Sequence, residues 1–412
     1  MTRNVSSTAA PGTAASGTAN TSTDVPHAAS PRPGLARHRM PVLALGAASL
    51  LGGLAGGLAR LGAGTPSPAG AAAGHGVLMT LGFLGTLIAL ERAVALRHVW
   101  GYLAPVLSGV GGLAIIVGVP APWPPLLMAA AGAWLCAGYL VMWQRQPSLH
   151  LTVEALGALA WWGGAMCWLA GTDLPGLAPW LAAYIVLTIA GERLELARVA
   201  LIGRRYREVV VLWSALILIG PVLSIAWPSG GARVLGVGLL VLSAWLAGYD
   251  VARHTVHAHG LTRYMAVCLL TGYVWLAVAA LMWTWHGALT QGPAYDATLH
   301  AVFVGFAMSM VLGHAPVILP AVLRVRLPHH QRDYAVLVLL HASLALRIVG
   351  GDLGRVEWMR LTGGVIGVVA LLAFVANSAC SAYGARRPTR TSRQPEQPAA
   401  PTTPHQLQGD LG

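Results

Sequence analysis

Long apolar runs, broken at intervals by short polar joints, fill the chain from residue 41 to residue 383. Each run approaches the roughly 20 residues that a helix needs to cross a hydrocarbon core. The pattern predicts about twelve spans: 41–63, 74–96, 101–119, 124–143, 150–170, 178–200, 209–227, 232–251, 262–286, 296–319, 333–350 and 358–382. Pro-rich joints such as PAPWPP at 120–125 suit short connections, and Trp123 and Trp180 suit the membrane interface. Residues 1–40 and 384–412 are rich in small, polar and proline residues and are expected to be disordered tails. The first run lies too deep in the chain for an ordinary cleaved signal peptide. The expected fold is all-α, a twelve-helix transmembrane domain at 41–383 between two tails.

Composition agrees. The chain is 56% hydrophobic and only 10% charged, against about 25% charged in soluble domains, so the lipid bilayer is its expected partner. The formal charge of +12 comes largely from arginines between apolar runs and in the tails. No nucleic-acid-binding motif accompanies them, and nucleic acid is not expected as a partner. Arginines follow the even-numbered runs: Arg92 and Arg97, Arg145, Arg204 and Arg205, Arg253, then Arg324 and Arg326. The joints after runs 1, 3, 5 and 9 hold neither Lys nor Arg. The positive-inside rule then places both termini in the cytoplasm, in a bacterial-type cytoplasmic membrane. Arg355 and Arg360, after run 11, break the pattern. The four cysteines fall in four separate runs with no CxxC and read as packing residues.

Polar groups inside apolar runs carry the candidate chemistry, because each costs free energy in hydrocarbon. His75 and His300 open two runs of the same direction and should lie at similar depth. Two such imidazoles can clamp a haem iron axially; alternatively each is an interfacial histidine bonded to a loop. Met79, one turn after His75, is a weaker ligand candidate. Arg60 and Arg347 are placed to receive haem propionates, or to snorkel to headgroups. His314 lies about 21 Å along the helix from His300 and, with His341, forms a second candidate pair for a haem or metal, or for proton relay. Glu91–Arg92 and Glu192–Arg193 recur at the ends of runs 2 and 6 as structural ion pairs or a proton path. With His314 in run 10, they suggest a four-helix period repeated three times, at 41–143, 150–251 and 262–382. His254, His257 and His259 read as ordinary exposed loop histidines. No P-loop, GxSxG, HExxH or dinucleotide fingerprint stands in a supporting context.

Twelve spans with histidines opening runs 2 and 10 resemble haem-copper oxidase subunit I, in which these helices hold a low-spin haem and three four-helix arcs surround the pores. The segment HAVFVGFAMSMVLG at 300–313 is similar to a late segment of the NnrS family, twelve-span haem- and copper-containing membrane proteins of nitric-oxide metabolism. The resemblance implies haem b on His75 and His300, copper as a further cofactor, and a respiratory electron donor or quinol as partner. The departures are specific. Runs 6 and 7 hold no histidine, run 10 has no HxH, and GHGVLMTLGF lacks an acidic residue after its histidine. A binuclear copper reductase centre is therefore not expected. The expected function is electron transfer or nitric-oxide/copper-related respiratory metabolism; the alternative is a cofactor-free proton-coupled secondary transporter or permease.

Overall fold

The computed structural model describes residues 37–197, 204–325 and 327–384. The expected tails lie outside the described residues except for 37–40 and 384, as do Arg32 and Arg326. Among the described residues there is no β-strand, and twelve long helices follow one another: α1 Met40–Arg60, α2 His75–Leu96, α3 Leu103–Ile116, α4 Trp123–Arg145, α5 Leu149–Leu169, α6 Ala178–Ala197, α7 Arg204–Ala226, α8 Pro228–Tyr249, α9 Gly260–His286, α10 Gly292–Leu323, α11 Arg332–Leu353 and α12 Glu357–Gly384. All except α5 are long and apolar enough to cross a membrane; α5 is 21 residues long but carries His150 and Glu154. The protein is an all-α polytopic membrane protein.

Every expected run is a helix, and the differences lie at the ends. α8 begins at Pro228 and α10 at Gly292–Pro293, four residues before the expected starts at 232 and 296. Both stretches read as turns because they combine proline and glycine. Proline at the first helical turn forfeits only an N–H that has no intrahelical partner. Gly231 is needed there because a Cβ would meet Ser224 N at 2.3 Å, where α8 closes on α7. Without a hydrophobic force between helices in lipid, such close approach is what holds them together.

α6 is the central post. Every residue from Ala182 to Leu187 is fully buried, and the helix packs on α5 and α7 and touches α2 and α10. Lipid-facing positions are correspondingly apolar, as in Val211, Leu212 and Ile219 of α7 and Val365, Val369 and Leu372 of α12.

Three helices, among the described residues, change winding partway. α2 is π-helical over Leu78–Gly85, α10 over Ala301–Met308 and α11 over Leu346–Leu353. Each segment contains glycine, which tolerates a widened turn. Nearby hydroxyls pair with carbonyls of the distorted turns, Ser108 Oγ donating to Leu81 O at 2.7 Å and Ser309 Oγ to Gly305 O. Such windings are uncommon and concentrate at functional sites.

Candidate functional site

His75 opens α2 three residues before its π-helical segment, His300 immediately precedes that of α10, and Arg347 and Asp352 lie within that of α11. All four line one cavity of about 1010 Å³, together with Arg60 from the end of α1. Thus the structure brings together the four residues that the sequence singled out for a cofactor: His75, His300, Arg60 and Arg347. Leu54, Val77, Leu84, Phe303 and Met308 supply an apolar wall, Arg355 joins from the α11–α12 connection, and Glu357 and Arg360 join from the first turn of α12. That placement accounts for the two arginines that broke the charge alternation: they belong to the cavity lining.

The two imidazoles are held in the same way. His75 Nδ1 lies 2.7 Å from Gly53 O, and His300 Nδ1 lies 2.8 Å from Asp296 O. A carbonyl oxygen only accepts, so Nδ1 carries the proton in both rings. Nε2 is then the basic nitrogen, and among the described residues it has no protein partner in either histidine. A main-chain acceptor on Nδ1 fixes the tautomer and the orientation of the ring, as it does for imidazoles that ligate metals through Nε2. α1 comes close enough for it because residue 57 is glycine: a Cβ there would meet His75 Cε1 at 2.9 Å. A Cβ on Gly76, which also lines the cavity, would meet nothing within 4 Å.

Two aspartates complete the charge pattern, and the sequence reading missed both. Asp296 accepts from Arg347 Nη2 and also lies 3.5 Å from His300 Nδ1, so one carboxylate orients a cation and an imidazole. Its signal was the i, i+4 spacing Asp296–His300 on one helix face. Asp352 is buried beside the Asp296 carboxyl, and among the described residues no N–H or hydroxyl donates to either of its carboxylate oxygens. Arg347 was expected to await a propionate; it already has Asp296 as its anion. Arg60 has no carboxylate partner among the described residues.

About 24 Å further along α2 lies a different cluster. Arg92 reaches Glu91 at 2.9 Å, Glu154 at 3.0 Å and Glu192 at 3.2 Å. Arg193 forms a two-pronged pair with Asp250, both contacts 2.8 Å, and Tyr273 and the Ala252 N–H also donate to that carboxylate. Burial pushes Asp250 upward, but Arg193 and these donors hold its carboxyl below the ordinary range. The expected neighbour pairs are therefore incomplete. Arg92 gathers three carboxylates, including Glu154 from α5, and Arg193 turns away from Glu192 to Asp250.

His314 and His341 do not share a site of their own. His314 Nδ1 donates to Met310 O at 2.7 Å, and its Nε2 accepts from Arg193 at 3.3 Å. His341 Nδ1 accepts from Trp275 Nε1 at 2.9 Å, and its Nε2 faces Ser309 Oγ. Among the described residues, no group of three or more His, Cys, Asp and Glu side chains could hold a metal ion. A second haem or metal on His314 and His341 is thus replaced by two protein-satisfied histidines.

Residues 39–383 match a family described as a domain of unknown function (DUF8744), and the chain belongs to that family. No curated protein and no solved structure matches the chain.

Proposed function

We propose that the protein is a membrane haem-binding protein whose cavity takes haem b between His75 and His300. The observation that carries this reading is the pair of Nδ1-tethered imidazoles lining one cavity, each with Nε2 left over. The rest of the lining suits the same guest. An apolar wall complements a macrocycle, Arg60 and Arg355 complement carboxylates at its edge, and the open space before Gly76 leaves room. When bound between two imidazoles, such a group supplies one-electron chemistry. Gly53 and Asp296 fix the two rings, Arg347 fixes Asp296, and the apolar wall excludes water. With His75 and His300 both holding the group, the chemistry it would supply is electron transfer, with a respiratory donor or quinol as partner. A role in nitric-oxide or copper-related metabolism rests on the resemblance at 300–313.

The test is a reduced-minus-oxidised optical spectrum of protein purified after expression with ample haem. Sharp b-type bands are expected in the wild type and should vanish in the His75→Ala, His300→Ala double variant. A colourless wild type that takes up no added haem sinks the reading.

One observation favours a second reading, a cofactor-free proton-coupled transporter: the unpartnered carboxylate of Asp352 in the cavity wall. It predicts substrate-driven proton flux into proteoliposomes, abolished by Asp352→Asn, from a colourless protein.

A further inference from the structure

At the far end of α2 one guanidinium serves three carboxylates. Arg92 contacts Glu91, Glu154 and Glu192 within 3.2 Å, so with every group ionised the cluster carries a formal charge of −2. Like charges at this spacing, away from water, do not all ionise. Among the described residues, the neighbouring groups do not remove the excess. Arg193, from the same turn of α6 as Glu192, is committed to Asp250 by both prongs of its guanidinium. His314, from α10, is neutral by its own hydrogen bonds: Nδ1 donates to a carbonyl, and Nε2 accepts from an arginine, which can only donate. Glu195, one turn along α6, adds negative charge. Tyr139 from α4 and Tyr184 from α6 are fully buried beside the cluster; the Tyr139 hydroxyl faces Glu154, and the Tyr184 hydroxyl has no hydrogen-bond partner among the described residues.

The three carboxylates differ in access. The side chains of Glu91 and Glu192 are 25% and 19% exposed, whereas that of Glu154 is 0% exposed. One oxygen of Glu154 bonds Arg92; the other, Oε1, is buried and has no partner. An ionised carboxylate with an unsatisfied oxygen in the interior is costly. A carboxylic acid there presents an O–H, and the Tyr139 hydroxyl, which lies within hydrogen-bonding reach of Glu154, can accept it as well as donate.

We infer that Glu91, Glu154 and Glu192 around Arg92 form a proton-binding site, with the proton resting on Glu154 at neutral pH and exchanging with the surface through Glu91 and Glu192. The site is independent of what fills the cavity. Its ligand is a proton, and its chemistry is that of a buried group loaded and unloaded from one side of the membrane.

Infrared spectroscopy of the full chain, with every glutamate 13C-labelled, tests this at pH 7.5 in nanodiscs. The wild type should show a carboxylic-acid C=O stretch that moves with the label and shifts in D2O. The band should disappear in Glu154→Gln and persist in Glu91→Gln and Glu192→Gln. If Glu154→Gln does not fold, the other two variants decide: loss of the band in either overturns the assignment. A wild type with no label-sensitive carboxylic-acid band overturns the site itself.

Discussion

The two polar ends of α2 show opposite ways of keeping histidine and charge inside a membrane protein. At the His75 end, each imidazole uses one nitrogen on the main chain and leaves the other over, beside a cavity of about 1010 Å³. At the Arg92 end His314 spends both nitrogens on protein groups, and guanidinium and carboxylate contacts link the helices. One end leaves ring nitrogens unpaired beside a cavity, and the other pairs its polar groups with one another. An unpaired ring nitrogen beside a void is therefore a more specific feature than the mere presence of an intramembrane histidine.

The closed end should dominate stability. Asp250→Ala strips Arg193, Tyr273 and the Ala252 N–H of their shared acceptor, leaving a buried cation that typically costs about 3–5 kcal/mol. Thermal unfolding in detergent, followed by circular dichroism, should show a large fall in midpoint with no change in the His75 cavity. The pH dependence has a definite sign. Asp250 has a folded pKa below its unfolded value of about 3.9, so its stabilisation is complete above that value and is lost as pH falls through the folded pKa. A variant as stable as the wild type would erase the contrast between the ends.

Gly57→Leu attacks the open end through its backbone. The new Cβ would press on the His75 ring, which lies 2.9 Å away. Overpacking of this kind typically costs about 1–3 kcal/mol, and the larger readout is loss of the tether to Gly53. Haem retained per protein should fall sharply while the protein stays monodisperse. Unaltered spectra would mean that His75 does not need this seat.

How much of this the sequence discloses depends on the length of the signal. Helix existence follows from some twenty apolar residues at a time, and every expected run is helical. Helix starts rest on one or two residues; Pro228 and Pro293 begin helices where proline and glycine together read as turns. His75, His300, Arg60 and Arg347 stood out because each is polar against an apolar background. Asp296 and Asp352 did not, since each sits near a helix end where acidic residues are common. Glu154 was missed because its partners, Arg92 and Glu192, come from other helices. The π-helical windings leave no periodicity long enough to read.

Gly76→Phe separates the guest from the fold. A side chain at 76 has open space before it, so stability should move by no more than about 0.5 kcal/mol. The ring would nonetheless occupy the cavity beside His75 without touching either Nδ1 tether. Haem content should drop while the unfolding midpoint of the haem-free protein holds. Full haem content would place the guest elsewhere in the cavity, away from α2.

The smallest effect is expected at Arg60, and it probes the polarity of the cavity rather than its shape. Arg60 is exposed and has no carboxylate partner among the described residues, so Arg60→Gln breaks no ion pair described there and should leave the unfolding midpoint nearly unchanged. An exposed cation facing a propionate contributes roughly 0.2–1 kcal/mol, which is about a one-and-a-half- to fivefold loss of haem affinity. Titration with haem and with its dimethyl ester distinguishes charge from packing. Arg60→Gln should weaken only the free acid, and added salt should narrow the difference by screening it. Equal weakening for acid and ester would mean that Arg60 acts through its alkyl stem, and the anionic edge of the guest would then belong to Arg355.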